Sequence, residues 1–168
     1  MSTVPFVTCD LLDDNSEKDL QVVIPSMDGK FFQSYGARKT FGGQVVTVKC
    51  FEDNSRVKEL LATDGTDKVL VVDGGASMRC ALMGDLIAES AVKNNWNGVV
   101  IYGCVRDVDA IATLDLGVHA LAAIPQKSNR KGIGEVDTTL YFGGVTIQSG
   151  DFIYADNNGI VISKEKLV

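Results

Sequence analysis

The sequence predicts an α/β fold, a parallel core sheet followed by an antiparallel β extension. Three observations carry that prediction. Apolar, β-branched runs recur through the middle of the chain and end in glycine. Stretches of helical periodicity separate them. The last quarter contains only short β segments divided by the pairs Gly143–Gly144, Gly150–Asp151 and Asn158–Gly159.

Taken in order, the first forty residues read as irregular, with a candidate short helix over 10–20. QVVTVKCF (44–51) alternates and is β-branched, so it predicts a strand. RVKELLAT (56–63) places Val57, Leu60 and Leu61 on one helical face, with Asn54 or Ser55 as its cap. DKVLVVDGG (67–75) predicts a buried strand and a tight turn, and RCALMG (79–84) a further strand. DLIAESAVKNN (85–95) has helical spacing. It leads through Trp96, an expected anchor for the helix end, into the buried strand GVVIYG (98–103). A short helix near 107–113 and a strand at GVHALAAIP (117–125) follow. Asn158–Gly159, between FIYAD and IVIS, is the strongest hairpin signal.

Composition narrows the function classes. The 168 residues suit one domain, 1–168, large enough to bury a core without staples. The formal charge of −6 disfavours a nucleic-acid backbone as direct partner and suits a basic protein segment. Four cysteines without CxxC spacing and one histidine argue against structural zinc. Buried free thiols in a reducing compartment are the expectation. No apolar run reaches membrane-spanning length, and the acidic N-terminus has no signal-peptide pattern, so a cytoplasmic location is expected.

The chemistry centres on the two ends of GDLIAESAVKNNWNGVVIYGCVRD (84–107). A helix starting at Asp85 would offer the amides of Gly84, Asp85 and Leu86 to a substrate carboxylate. Arg106, just past a buried strand, can stabilise an enolate oxygen. Asp107, a hard oxygen ligand, suits one Mg²⁺ or Mn²⁺. Asp85 can relay a proton, directly or through water. The plainer reading is that Asp85 caps a helix and Arg106–Asp107 is a solvated charge pair. His119, between Val118 and Ala120, reads as a core or interface histidine. DGG (73–75) lacks the rest of any phosphate-loop pattern.

FGGQVVTVKCFEDN (41–54), VLVVDGGASMRCALMGD (69–85), GVVIYGCVRDVDAI (98–111) and GGVTIQSGDFIYADNNGIVIS (143–163) together resemble the RraA-like family. That family includes the regulator of ribonuclease activity A and the class II 4-hydroxy-4-methyl-2-oxoglutarate aldolases. The resemblance implies a swivelling-type α/β/β domain assembled as a homotrimer or hexamer. It implies a divalent-metal lyase that releases pyruvate from 4-hydroxy-2-oxo acids and decarboxylates oxaloacetate through the same pyruvate enolate. In the aldolases' Asp-x20-Arg-Asp signature, Asp107 would bind the metal and Arg106 would contact the keto and enolate oxygen. Asp85 would position the proton-transfer water, and the Gly84–Asp85–Leu86 amides would bind the pyruvyl carboxylate. The resemblance also implies an alternative, a non-catalytic regulator that binds a basic segment of a ribonuclease. A methyltransferase label carried by some relatives finds no glycine-rich cofactor loop in this sequence.

Overall fold

A computed structural model of the chain describes residues 5–25 and 31–168. Within the reputedly irregular N-terminal region it places helix α1 (Thr8–Asp14) and two-residue strands β1 (Gln21–Val22) and β2 (Gln33–Ser34); the irregular reading of 1–4 and 26–30 lies outside the described residues. The predicted 10–20 helix is therefore shifted toward the N-terminus. Its start is set by Thr8, whose N–H and hydroxyl donate to the two oxygens of Asp156 at 2.8 and 2.7 Å. Its end is set by Asn15, whose amide takes the Leu11 carbonyl at 2.9 Å and competes with a further turn.

The core elements fall where the apolar pattern places them. They are β3 (Phe41–Lys49), α2 (Ser55–Leu61), β4 (Lys68–Asp73), β5 (Ala81–Met83), α3 (Asp85–Lys93), β6 (Gly98–Val105), α4 (Val108–Ile111) and β7 (Gly117–Ala123). Then come β8 (Glu135–Val136), β9 (Leu140–Phe142), β10 (Val145–Ile147), β11 (Phe152–Asp156) and β12 (Gly159–Ser163). Strands β3, β4, β6 and β7 are mutually parallel neighbours, and β5 adds to the end of β6 in parallel. The antiparallel extension joins at β3 through β11, then β12 and β1, giving the order β1-β12-β11-β3-β4-β6-β7-β2.

Three layers result because each central strand is apolar on both faces. Leu70, Val72, Val99 and Ile101 face helices α2 and α3 in one cluster with Leu61, Ile87 and Ala91. Val69, Val71 and Val100 face the β9–β10 hairpin in a second cluster with Leu140, Phe142 and Ile147. Each fully buried Leu or Ile side chain contributes about 1.5–3 kcal/mol. Trp96, 3% exposed, closes the α3 end by donating from Nε1 to the Thr63 carbonyl at 2.9 Å, as its position predicts.

The turns differ from expectation in one respect. Gly143 and Gly144, both at positive φ (58° and 73°), form the two-residue turn of the β9–β10 hairpin. In the β11–β12 hairpin Asp156 pairs with Gly159, so the turn is Asn157–Asn158 and Gly159 already belongs to β12. Asp156 moves the turn back one residue by accepting the Asn158 N–H at 2.8 Å. No helix among the described residues is long and apolar enough to cross a membrane.

Candidate active site

The carboxyl ends of β5 and β6 lie side by side, with Ala81 paired to Cys104 and Met83 to Val105. Ligands of parallel α/β sheets bind at this end of the strands. The Arg106 N–H donates to the Met83 carbonyl at 3.0 Å, which draws the chain leaving β6 over the start of α3. Asp107 then takes a left-handed conformation (φ 55°, ψ 41°) as the N-cap of α4. Aspartate tolerates that region better than most residues. The reversal turns its carboxylate back, so that Oδ2 accepts the Asp85 N–H at 3.1 Å. The two ends of the 84–107 stretch are thus in contact across 22 residues of sequence.

Each predicted site residue has a defined place. Gly84 is the N-cap of α3, and a Cβ there would come within 2.5 Å of Asp107 Oδ2. Only glycine allows that approach. Asp85 is the first helical residue, and its Oδ1 accepts the Leu86 N–H at 2.8 Å. The N–H groups of Asp85 and Leu86 are therefore both bonded to carboxylates of the chain itself. Leu86 is 75% exposed, an apolar side chain left at the rim. Arg106 Nε lies 3.9 Å from Asp107 Oδ2, with the two side chains 38% and 42% exposed.

The signature forms one wall of a cleft of about 470 Å³. The opposite wall is the segment after β7, which the sequence reading passed over: Lys127, Ser128, Asn129 and Arg130, with Asn54 at the base. Arg130 Nε donates to Asn54 Oδ1 at 3.2 Å, and Asn54 Nδ2 donates to the Leu82 carbonyl at 3.2 Å. Asn54 is the N-cap of α2, as the sequence suggests, and its carbonyl accepts the Lys58 N–H at 3.0 Å, but its side chain serves the cleft and makes no capping bond. The bond to the Ser55 N–H comes instead from Asp53 Oδ1, at 2.9 Å. Asp53, 3% exposed, also accepts the Lys131 N–H at 2.7 Å and so clamps the second wall. Burial pushes its carboxyl upward, but the hydrogen bonds from Ser55, Lys131 and Ile133 outweigh burial and hold it below the ordinary carboxylate range. The available signal was QKSNRKG (126–132), a basic stretch in an acidic chain.

Neighbouring candidates do other work. The Gly75 N–H donates to Asp73 Oδ1 at 2.9 Å and the Gly74 N–H to the Tyr102 carbonyl at 3.0 Å, so the DGG turn consumes its own donors. Cys9, Cys50, Cys80 and Cys104 are free thiols, the last three buried. Burial first, then the Asp53 and Asp73 carboxylates, push the Cys50 thiol up to about 12, far from nucleophilic use. Glu165, an acidic residue near the carboxyl end, pairs with Lys18 at 3.0 Å.

The donor set defines which cation the cleft would suit. Among the described residues no three His, Cys, Asp or Glu side chains cluster as metal ligands. Zinc, which takes three or four such ligands, does not fit. A water-rich Mg²⁺ or Mn²⁺ held through Asp107 does, because such ions need only one or two protein carboxylates.

Comparison with known proteins shows the family to which the chain belongs. The family model for Aldolase/RraA, RraA-like, matches residues 8–162. A protein of Acinetobacter baylyi named "Putative 4-hydroxy-4-methyl-2-oxoglutarate aldolase" is 80% identical over 99% of this chain and 98% of its own. One of the same name from Pseudomonas aeruginosa is 55% identical over 96% of each. Among solved structures, the RNA-processing inhibitor RraA of Thermus thermophilis superposes with a TM-score of 0.87 at 39% identity, covering 96% of this chain and 94% of that one. A Geobacillus kaustophilus protein described as an S-adenosylmethionine: 2-dimethylmenaquinone methyltransferase gives 0.91 at 41% identity, covering 96% and 97%. With its mixed sheet matching those folds and its sequence matched almost throughout, this chain belongs to the Aldolase/RraA family.

Proposed function

We propose that the Asp107 cleft is the active site of a divalent-metal-dependent lyase. Its substrates would be 4-hydroxy-2-oxo acids of the 4-hydroxy-4-methyl-2-oxoglutarate type, with oxaloacetate decarboxylated at the same place. The observation that carries the reading is the contact between the Asp85 amide and the Asp107 carboxylate, with Arg106 beside them and a cationic wall opposite.

Asp107 would hold the Mg²⁺ or Mn²⁺, which when bound supplies Lewis-acid charge stabilisation. The chain's own groups do the rest. The Asp85 and Leu86 amides, at the positive end of α3, receive the carboxylate next to the keto group once their internal partners turn away. Arg106 stabilises the negative charge that develops on the keto oxygen. Arg130, oriented by Asn54, holds the second carboxylate across the cleft. Asp85 accepts the proton of the 4-hydroxyl, directly or through water, as the bond between C3 and C4 breaks. The bonding pair passes into the pyruvate enolate, the 4-carbon becomes the carbonyl of a second oxo acid, and protonation at C3 completes pyruvate. With oxaloacetate, loss of carbon dioxide delivers the same enolate without a base.

A direct test is steady-state turnover of 4-hydroxy-4-methyl-2-oxoglutarate by the purified chain, read as pyruvate formed. Release far above the uncatalysed rate supports the lyase. Its absence, with Mg²⁺ or Mn²⁺ present, removes that reading.

A second reading, a regulator that masks a basic segment of an RNA-degrading enzyme, is favoured by the likeness to the Thermus inhibitor and by the charge of −6. It predicts binding that weakens as salt rises and is indifferent to Asp107→Ala. Either reading is compatible with a homotrimer or hexamer, the assembly we propose on family grounds.

A further inference from the structure

We propose that Glu52 is a positioning residue for the second carboxylate of the substrate, acting through the wall that carries Arg130; the assignment rests on the lyase reading of the Asp107 cleft. That wall is laid along residues 52–55, just past β3. The Asn129 N–H donates to the Glu52 carbonyl at 2.9 Å, and the Asn54 N–H to the Asn129 carbonyl at 3.1 Å. The Asp53 carboxylate takes the Lys131 N–H at 2.7 Å, and the Ser55 hydroxyl oxygen takes the Gly132 N–H at 2.9 Å. On the other side of the wall, the Ala81 N–H donates to the Gln126 carbonyl at 2.8 Å. Arg130 stands in the middle of these bonds, with its Nε on the Asn54 side chain.

Glu52 differs from the residues that follow it. Asp53, Asn54 and Ser55 reach the wall with their side chains, whereas Glu52 reaches it with its carbonyl. Its backbone is left-handed, with φ 56°. Residues with a Cβ rarely adopt that conformation, and it persists only where the surroundings hold it. Here the loop after β4 does so. Glu52 Oε1 accepts the Ser77 hydroxyl at 2.7 Å and the Arg79 Nε–H at 2.6 Å. The Ser77 bond first, then Arg79, hold the carboxyl below its ordinary range against desolvation, so it is ionised at neutral pH. The Arg79 guanidinium lies 5.7 Å from the centroid of the Phe51 ring, a contact that steadies it. A left-handed glutamate locked by two side-chain bonds beside a cleft is a device that fixes geometry. What it fixes is the placement of Asn129 and, one residue on, of Arg130.

The experiment measures steady-state cleavage of 4-hydroxy-4-methyl-2-oxoglutarate, with Mg²⁺ present, by the parent chain, Glu52→Ala, Glu52→Gln and Arg79→Met. Glu52→Ala should raise KM about fivefold, the effect of about one lost hydrogen bond, with kcat nearly unchanged. Glu52→Gln, which still accepts the Ser77 hydroxyl, should recover part of that loss. The Arg79 side chain is 73% exposed, so its replacement leaves the core intact. Arg79→Met should raise KM about threefold without moving thermal unfolding. Pyruvate, the product that has no second carboxylate, should inhibit the parent and every variant with the same constant. In an Arg130→Met background, Glu52→Ala should have no further effect, because both act on one contact. An unaltered KM in Glu52→Ala and Arg79→Met would overturn the assignment. So would pyruvate weakening in step with the dicarboxylate, or full additivity with Arg130→Met. No turnover by the parent chain is a different outcome: it removes the lyase reading itself, and this assignment with it.

Discussion

In the cleft, the Arg106 and Asp107 side chains are 38% and 42% exposed and lie within reach of each other; on β7, His119 is 4% exposed and has no partner among the described residues. Both sit on the same parallel sheet. The cleft leaves its charged side chains open to water, and it satisfies its amides with the chain's own carboxylates. The His119 ring is shut away from water, so it stays neutral near pH 7, and its two nitrogens have no partner among the described residues. Charge is therefore available for chemistry at the strand ends and not on the buried face.

The largest effect should come from removing charge in the cleft. Arg106→Ala is expected to lower kcat for pyruvate release by about 10²–10³, the loss typical of one transition-state donor. Thermal unfolding, monitored alongside, should barely move, since the side chain is part-exposed. Turnover within threefold of the parent would detach Arg106 from the reaction.

The buried ring should show itself in stability against pH. Above pH 6.5 neither folded nor unfolded chain carries the His119 proton. Below it the unfolded chain binds one, and the folded chain does not until about pH 4. Stability therefore falls through that window, by about 1.4 kcal/mol per pH unit and about 3 kcal/mol in all. The carboxyls of Asp53 and Asp156, held below their ordinary 3.8, withdraw their contribution only at lower pH still. Urea unfolding across pH 4–7 measures the slope, and His119→Leu should flatten it. An equal slope in that variant would place the titration elsewhere.

Gly84→Ala brings a Cβ to 2.5 Å from Asp107 Oδ2 and must displace it. Small misplacements of reacting groups cost up to about a hundredfold, so kcat should fall by roughly 10–100-fold while the fold stays intact by circular dichroism. The smallest effect is expected at the second wall. Arg130→Met should raise KM for the dicarboxylic substrate about tenfold with kcat nearly unchanged, the pattern of lost uniform binding. A fall in kcat at constant KM would make Arg130 a participant in the chemistry instead.

The same contrast explains what could be read in advance. β4 and β6 were visible because both faces of a central parallel strand are buried, which leaves unbroken apolar runs ending at glycine. Gly84, Asp85, Arg106 and Asp107 were visible because they abut those runs. The second wall was not: Asn54 and Arg130 are 76 residues apart and meet in a direct side-chain hydrogen bond, while the buried Asp53 carboxylate holds the neighbouring Lys131 N–H, contacts with no local pattern. Asn54 is the helix cap its position suggests, and only the fold shows its side-chain amide turned to Leu82. Likewise the Asn158–Gly159 signal named the hairpin but missed the turn by one residue, because Asp156 is held by α1 from the far end of the chain.

The central claim is that Asp107 holds the cation on which pyruvate release depends. It is tested most directly by pyruvate release from oxaloacetate with metal-stripped protein, before and after added Mg²⁺, beside Asp107→Ala. The account predicts release that returns with the metal in the parent chain and stays at the free-metal background in the variant. Release at background in both, or equal metal-restored release in the variant, would contradict it.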